Sequence, residues 1–556
     1  MTKQASMSNV RLPPLTARSL LAGLVLSIVL CAMNSYLTLS FGVIEEGPTI
    51  AALFFFAVFF LSRAKITTTE MVIVATMGSA GGSLGFISNF FAAKVMTGAP
   101  YSILDMVLFG TVTSLIGLVT VIPLRQILVL RENLPWPGSK AVESVIRALV
   151  EHGDPRQPLI LLGTFLVAAT YVVLNDDGFR LVPSETALPC LAAFGGAIAW
   201  SPFAIGGSYL MGMRTCVGFL AGAVALMVMA RYTPKPEAPH TYYWPGLGFL
   251  VASGLTVMAI NWRTITGAFR SILALGGKTE DDDPMLSGRT LAAFAGVSLV
   301  LTVAVLGWRF AVPIVMSVVL ILVAGLIQNI IATRAAAQTA FNPARVMGIL
   351  LQGVTSALGG SQVATNLTGA GFVAGSGAQA GLLTGDLVYG RAFKVPSRWQ
   401  FWTQTLTVLP CTVISAYAFL VINRDKPLVL EGPGHPAPVA KMWAKSAQIF
   451  EGGLSALPPG ALTWLLAGAA IGVVYTLLEY IPRLRPWMPE AIGLGLGLVL
   501  APAQGISFFI GGFLLWIVLG RWLKWSETTL TTIAVGSIVA EGVGGVVQSG
   551  LVKLFG

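Results

Sequence analysis

The scarcity of charge along almost the whole chain constrains its fold more than any other feature. Only 10% of the 556 residues are Asp, Glu, Lys or Arg, whereas 55% are hydrophobic and the mean hydropathy is +0.80. A soluble domain carries about 25% charged residues, because its surface must be solvated. The composition therefore predicts a polytopic membrane protein. It excludes soluble enzymes, nucleic-acid-binding proteins and disordered scaffolds.

Apolar segments long enough to cross a bilayer recur throughout the sequence. About 20 apolar residues are needed for one helical crossing. Since several segments are short or interrupted by glycine, we expect 15 to 17 helices in an all-α protein. The candidate segments are 19–41, 47–62, 70–93, 103–124, 158–174, 187–204, 206–230, 244–261, 290–308, 311–332, 346–364, 369–389, 400–422, 461–480, 489–503, 506–522 and 530–552.

The polar stretches between these segments suggest how the chain is divided. We predict an N-terminal tail at 1–18, a first transmembrane half at 19–275, an acidic loop at 276–289 and a second half at 290–553. The Pro- and Gly-rich stretch 423–460 reads as a polar loop of that second half.

The basic residues predict the orientation of the chain. Threading the segments from a cytoplasmic N-terminus leaves 23 basic residues in cytoplasmic loops and 10 on the other side. Cytoplasmic loops of membrane proteins carry such an excess of Lys and Arg. We therefore expect a multi-pass protein of the inner (plasma) membrane with a cytoplasmic N-terminus.

Three glycine-rich stretches depart from uniform apolar helices. Residues 78–85 and 359–371 combine glycines with hydroxyl and amide side chains, whereas 493–497 reads GLGLG. Small residues allow close helix packing, but broken helices at membrane depth also expose backbone groups to substrates. Both readings stay open for the first two stretches, and packing is favoured for the third. Because the first two lie about 280 residues apart, we expect two repeated halves with a site between them.

Enzyme motifs are weak in this sequence. The three histidines fall in predicted loops, which leaves no HExxH zinc motif and no histidine to activate a membrane serine. GLLTGD at 381–386 is a near miss to the GxGD motif of intramembrane aspartic proteases. We predict neither a cofactor nor a resident metal. Since no GxxxxGK[ST] nucleotide-binding loop is present, an ion gradient or an external partner must drive any transport.

Ionisable residues inside apolar segments are candidates for function. A charge at the bilayer centre costs roughly 2.5–3.5 kcal/mol on insertion scales, so such residues are paired, hydrated or functional. Glu70, Asp386 and Glu541 are the acids that we consider for proton coupling. Arg214 is a basic residue that lies well inside a predicted segment rather than at its end. It either pairs with one of the acids at membrane depth or binds a substrate carboxylate.

Several short motifs follow one another along nearly the whole chain. They are NSY at 34–36, Glu70 with SAGGS at 79–83, VIPLR at 121–125, LPWPGSKAVE at 134–143, WSPF at 200–203, MGMR at 211–214, NP at 342–343, QAGLLTGDL at 379–387 and the Gly/Glu segment 538–547. In this order they resemble the motifs of the oligopeptide transporter (OPT) superfamily. The prokaryotic, yellow stripe-like branch is the better match. The lysine and threonine of the family's Asp-Leu-Lys-Thr-Gly element are replaced here by Val388 and Tyr389.

The resemblance implies proton-driven import of small peptides or, in the yellow stripe-like branch, of metal chelates built on amino-acid-like ligands. It also implies about 16 helices. A passive channel is the alternative of a different class, although one long chain with asymmetric polar breaks favours a transporter.

Polar side chains at membrane depth are the candidate substrate contacts. They supply directional hydrogen bonds, although bonds between helices, worth about 0.6 kcal/mol each, would explain them equally well. With Arg214, the candidates are Asn34, Tyr36, Asn342, Gln362, Asn366 and Gln379. The expected partners are the peptide-like or metal-chelate solute, protons and the lipid bilayer. The sequence does not indicate an oligomeric state.

Overall fold

The protein is helical over most of its length. The computed structural model describes residues 15–555 except 42–46, 62–64, 86, 100, 132–133, 135, 153–155, 176–178, 234–243, 261, 264–282, 340–343, 358–361, 426, 431–433 and 453–458. Within these residues, the one sheet is a two-stranded antiparallel hairpin.

In the first part of the chain, the described residues form the hairpin and the helices that we number α1 to α11. They are α1 Ala17–Phe41, α2 Gly47–Leu61, α3 Thr68–Leu84, α4 Ile87–Met96, α5 Ile103–Leu124 with the π-helix Arg125–Arg131, α6 Pro137–His152, α7 Arg156–Leu174, β1 Glu185–Ala187, the 3₁₀-helix Pro189–Phe194, β2 Ala197–Ala199, α8 Pro202–Gly206, α9 Ser208–Met211, α10 Met213–Tyr232 and α11 Trp244–Ile260.

The second part of the chain continues with helices of very different lengths. They are α12 Gly288–Phe310, α13 Ile314–Leu320 with the π-helix Ile321–Gln328, α14 Asn329–Thr339, α15 Ala344–Ala357, α16 Val363–Ala392, α17 Ser397–Asp425, α18 Pro438–Gly452, α19 Ala461–Glu479, α20 Ala491–Gly497, α21 Pro502–Gly512 with the π-helix Phe513–Trp522, and α22 Glu527–Phe555.

The expectation of an all-α membrane protein is confirmed. Among the residues described above, 11 helical stretches are long and apolar enough to cross a membrane, and two shorter apolar helices accompany them. The count of about 16 crossings and the division into two halves stay predictions.

Two segments differ from their expected form. The predicted crossing at 187–204 is instead the hairpin, the 3₁₀-helix and the start of α8, since the glycines and prolines of this apolar run favour turns. The expected polar loop 423–460 contains α18, whose residues from Pro438 to Lys445 are all buried. Loop-like composition concealed this helix because Pro and Gly flank it rather than interrupt it.

Two helices that enter the core begin with a capping box. Thr67 accepts from the backbone N–H of Glu70, whose carboxylate accepts from Thr67 in return; Ser102 and Asp105 form the same pair at α5. These reciprocal bonds satisfy backbone donors that the first helical turn leaves without partners. Asp105 also binds Arg309 of α12 at 2.6 Å, which ties α5 to that helix.

Glycine sets the closest helix contacts. A Cβ on Gly248 of α11 would lie 2.0 Å from the carbonyl oxygen of Leu465 in α19, and one on Gly468 would lie 2.0 Å from that of Pro245. The stretch 493–497 behaves in the same way, because a Cβ on Gly493 would lie 2.3 Å from the carbonyl oxygen of Thr215 in α10. These contacts support the packing interpretation of 493–497.

The other two glycine-rich stretches are helical where the structure describes them. α3 ends at Leu84 and α4 begins at Ile87, while Gly85 between them has right-handed helical φ and ψ angles of −56° and −23°. Helix α16 is continuous from Val363 through Gly371. Residues 86 and 358–361 lie outside the described part of the chain, so a helix break at either stretch stays a prediction.

Candidate functional site

Helix α16 places most of the candidate polar residues inside the protein. Nearly every residue from Asn366 to Gly390 is buried. A Cβ on Gly371 would lie 2.8 Å from the ring of Phe90 in α4, so the glycines let neighbouring helices pack directly on the α16 backbone. One helix thus carries Asn366, Gln379 and Asp386 through the core.

Near its C-terminal end, α16 joins α3 and α17 through a polar network. Gln400 of α17 donates from Nε2 to the hydroxyl of Thr76 and to the backbone carbonyl of Asp386, both at 2.9 Å. The hydroxyls of Thr76 and Tyr389 are 3.4 Å apart. Asp386 is 2% exposed. The network therefore couples the backbone beside a buried carboxyl group to two other helices.

A small cavity of about 50 Å³ opens beside this network. Asp386, Tyr389, Trp136 and Ser139 all line it. The lining therefore combines LPWPGSKAVE at 134–143 with QAGLLTGDL at 379–387. Packing explains this meeting, because a Cβ on Gly385 would lie 2.9 Å from the hydroxyl of Ser139.

Buried amide atoms on α16 and α17 lack hydrogen-bond partners. Ser83 donates to Oε1 of Gln379 at 2.6 Å, whereas Nε2 of Gln379 has no hydrogen-bond partner. Gln404, one turn after Gln400 on α17, is fully buried and has no partner at either amide atom. The hydroxyl of Ser79 also lacks one. Most buried polar groups in proteins are hydrogen-bonded, so each of these groups is one to which a polar ligand could bind.

Sequence reasoning missed Gln400 and Gln404. Both lie within the predicted crossing at 400–422, four residues apart on one helical face. Two amides at that spacing in an apolar segment are the signal that could have revealed them.

Asn34, Tyr36 and Glu541 lie along the contacts of α1. Asn34 donates to the carbonyl of Leu30 at 3.1 Å. The ring of Tyr36 packs on Gly545 of α22, where an added Cβ would lie 2.4 Å away. Glu541, one turn earlier and 7% exposed, accepts from the backbone N–H of Phe203 at 3.4 Å. The structure thus brings Tyr36 and Glu541 to one interface.

Glu70 is held at the start of α3. Its carboxylate binds the Nε of Arg18 at 2.5 Å and accepts from the hydroxyl of Thr16 at 2.6 Å, in addition to the capping box with Thr67. Glu70 is 1% exposed. These bonds fasten the beginnings of α1 and α3 to each other.

Arg214 pairs with acids other than those considered from the sequence. At the start of α10, it binds Glu479 at 2.9 Å and lies 3.7 Å from Glu490. Its Nε donates to the carbonyl of Met488. Arg214 therefore connects α10 to α19 and to the segment before α20, away from Asp386.

The remaining candidates are dispersed. Asn366 donates from Nδ2 to the backbone carbonyl of Gln352 in α15 at 3.1 Å. Gln362 is exposed just before α16, and Asn342 lies outside the described residues. The described part of the chain contains no group of three or more His, Cys, Asp or Glu side chains that could hold a metal ion.

Comparison with known proteins gives this arrangement a family. The model of the family described as "OPT oligopeptide transporter protein" matches residues 14–552. The chain belongs to the OPT oligopeptide transporter family. It is also 20% identical to the Saccharomyces cerevisiae protein named "Putative oligopeptide transporter", over 97% of this chain and 96% of the yeast protein. The protein is thus a membrane transporter rather than an enzyme.

Proposed function

We propose that this OPT family member is a proton-coupled importer of small peptides or peptide-like solutes. The observation that carries the proposal is the position of Asp386, a carboxyl group 2% exposed on the wall of the cavity where two motif segments meet. Burial away from water disfavours the charged form of a carboxyl group. Binding and release of a proton at Asp386 would therefore change the stability of its surroundings.

Gln400 supports a role for Asp386 in conformational coupling. Its amide links the Asp386 backbone to Thr76, so a change at the carboxyl group would be felt in α3 and α17. A ligand or proton shifts a conformational equilibrium only when it binds the two states differently. Because Gln400 connects α17 to α3 and α16, a rearrangement of these helices would change the surroundings of Asp386 and thus its affinity for a proton.

The amides of Gln379 and Gln404 support peptide binding. An unpartnered amide N–H₂ and a complete unpartnered amide group provide donors and an acceptor. A peptide bond needs one acceptor and one donor in return. We assign these two side chains to the peptide backbone of the substrate.

The other candidates take supporting positions in this proposal. The ion pair of Glu70 with Arg18 favours a structural role, whereas Glu541 and Tyr36 form a second candidate interface for proton movement. We retain Asn34 and Arg214 as candidate substrate contacts that open in another conformation. We also propose an inner-membrane location with a cytoplasmic N-terminus, supported by the distribution of basic residues.

Transport in proteoliposomes tests the role of Asp386. With an inward proton gradient, we expect wild-type protein to accumulate radiolabelled trialanine saturably. Asp386→Asn should lose this accumulation yet keep exchange of labelled for unlabelled peptide, because exchange needs no net proton movement. Asp386→Glu, the matched variant, should retain partial accumulation. Full proton-driven accumulation by Asp386→Asn would refute the assignment.

The same vesicles separate the alternatives. Accumulation of a nicotianamine–metal complex in place of trialanine would favour the metal-chelate alternative. Rapid flux that neither saturates nor responds to the gradient would favour a passive channel.

A further inference from the structure

The cavity beside Asp386 is too small to hold a peptide. Its volume is about 50 Å³, whereas pockets that enclose small organic ligands measure about 300–1,000 Å³. A buried water molecule needs roughly 10–15 Å³ of such space. The cavity therefore has room for a few water molecules but not for the transported solute.

The wall of the cavity supplies the polar partners that buried water requires. A buried water molecule makes about three hydrogen bonds to polar groups. The wall includes the carboxyl group of Asp386 and the hydroxyl-bearing side chains of Ser139 and Tyr389. These three residues are 2%, 8% and 1% exposed, respectively. Since a hydroxyl group both donates and accepts, it suits a water molecule in either orientation.

The start of α6 adds backbone donors to the same wall. Trp136 has a left-handed φ of 46° and lies outside the helix, which begins at Pro137. Its carbonyl accepts from the N–H of Lys140. The N–H groups of Gly138 and Ser139 come before that bond, so they have no acceptor within the helix. Both residues line the cavity, which thus has donors as well as acceptors around it.

The cavity lies near one end of α16 and near the protein surface. Asp386 comes five residues before Arg391, a helical distance of about 7.5 Å, and Arg391 is exposed. Lys140, directly after Ser139, is exposed as well. The threading of basic residues predicts that Lys140 and Arg391 are cytoplasmic. Water in the cavity would therefore connect Asp386 with the cytoplasmic side.

We propose that water in this cavity carries the proton between Asp386 and the cytoplasm. The acid form of Asp386 transfers its proton to the adjacent water oxygen and becomes a carboxylate, while the outermost water releases a proton to the cytoplasmic solution. Ser139 is a positioning residue, because its hydroxyl holds one of these water molecules. This inference rests on the proposed function, and it adds the side to which Asp386 releases its proton.

X-ray radiolysis of the protein in detergent tests for the water directly. Hydroxyl radicals formed from bound water oxidise the side chains next to it, even where these are buried. Trp136 lines the cavity and is 4% exposed, whereas Trp244 is 1% exposed and does not line it. We expect Trp136 to be oxidised about fivefold faster than Trp244, or more, because a polar cavity of this size holds water. Equal rates for the two tryptophans would overturn the inference.

Filling the cavity tests its role in proton movement. Ala336 lies on the wall, so Ala336→Leu places three more carbon atoms in a space for a few waters. Under an inward proton gradient, trialanine accumulation should slow about tenfold or more, because positioned proton transfer contributes roughly 10²–10⁴-fold to a rate. Exchange of labelled for unlabelled trialanine, which needs no net proton movement, should continue. Ala293→Leu, the same change at an exposed position of α12, should keep both rates.

Ser139→Ala covers the case in which the larger side chain of Ala336→Leu prevents folding. It removes the hydroxyl without adding volume, so accumulation should slow about threefold or more. The slowing in D₂O should exceed that of the wild type, since proton transfer then limits uptake. Unchanged accumulation in Ser139→Ala and Ala336→Leu, alongside its loss in Asp386→Asn, would refute this inference alone. Proton-driven accumulation by Asp386→Asn would refute the proposed function as well.

Discussion

Replacing Gln404 by leucine should stabilise the protein while impairing transport. Gln404 is fully buried, and neither of its amide atoms has a partner. A buried polar group without partners costs about 1–3 kcal/mol. Leucine removes that cost at similar volume, so the free energy of unfolding should rise by about 1–3 kcal/mol. Peptide uptake should fall, because the donor and acceptor assigned to the substrate are lost.

Gln400, one turn away on the same helix, provides the matched control. Its Nε2 donates to Thr76 and to the carbonyl of Asp386, and only its Oε1 lacks a donor. Gln400→Leu should therefore lower the free energy of unfolding by about 1–3 kcal/mol. Thermal unfolding in detergent, followed by tryptophan fluorescence, measures both signs, and trialanine uptake in proteoliposomes measures function. A fall in stability for Gln404→Leu equal to that of Gln400→Leu would refute the reasoning.

Three further predictions concern packing, pH and an ion pair. Gly248→Ala should destabilise the α11–α19 contact by about 1–3 kcal/mol. Gly296→Ala, which has nothing within 4 Å of the added Cβ, should instead stabilise α12 by about 0.5–1 kcal/mol. Melting temperatures of the two variants that shift in the same direction would contradict this prediction. Burial lowers the pKa of Lys441, in α18, to about 8. Between pH values of about 8 and 10.4, Lys441 therefore binds more protons in the unfolded chain than in the folded protein. Its contribution to the free energy of unfolding, and with it the melting temperature, should rise with pH across that window. Lys441→Met should abolish this rise. Glu70→Gln should lower the free energy of unfolding by about 1–2 kcal/mol, because the charged hydrogen bonds of Glu70 are lost. The variant should still accumulate peptide under a proton gradient. Loss of accumulation in correctly folded Glu70→Gln protein would instead support Glu70 as a proton carrier.

Hydropathy predicted the fold class because a lipid bilayer imposes a composition on each crossing helix. It failed at 187–204, where an apolar run forms a hairpin and short helices, and at 423–460, where buried α18 lies within a polar segment. Composition does not record whether an apolar run faces lipid, protein or a turn.

For the site, motifs were more informative than single residues. The segments 134–143 and 379–387 meet at one cavity, although they are far apart in the sequence. Arg214, by contrast, pairs with Glu479, the last residue of α19, and with Glu490, which directly precedes α20. Ion pairs between distant segments depend on helix positions that residue spacing does not encode.

The sequence by itself determined that this chain is a membrane transporter of the OPT family, because charge scarcity and ordered motifs are properties of the chain alone. Only the tertiary structure decided which polar groups have partners. Gln379 and Gln400 are both buried glutamines on apolar helices, yet the amide nitrogen of Gln400 donates to two neighbouring helices whereas that of Gln379 has no partner. That difference depends on what a neighbouring helix presents at the same depth, since a hydrogen bond requires a donor and an acceptor about 3 Å apart.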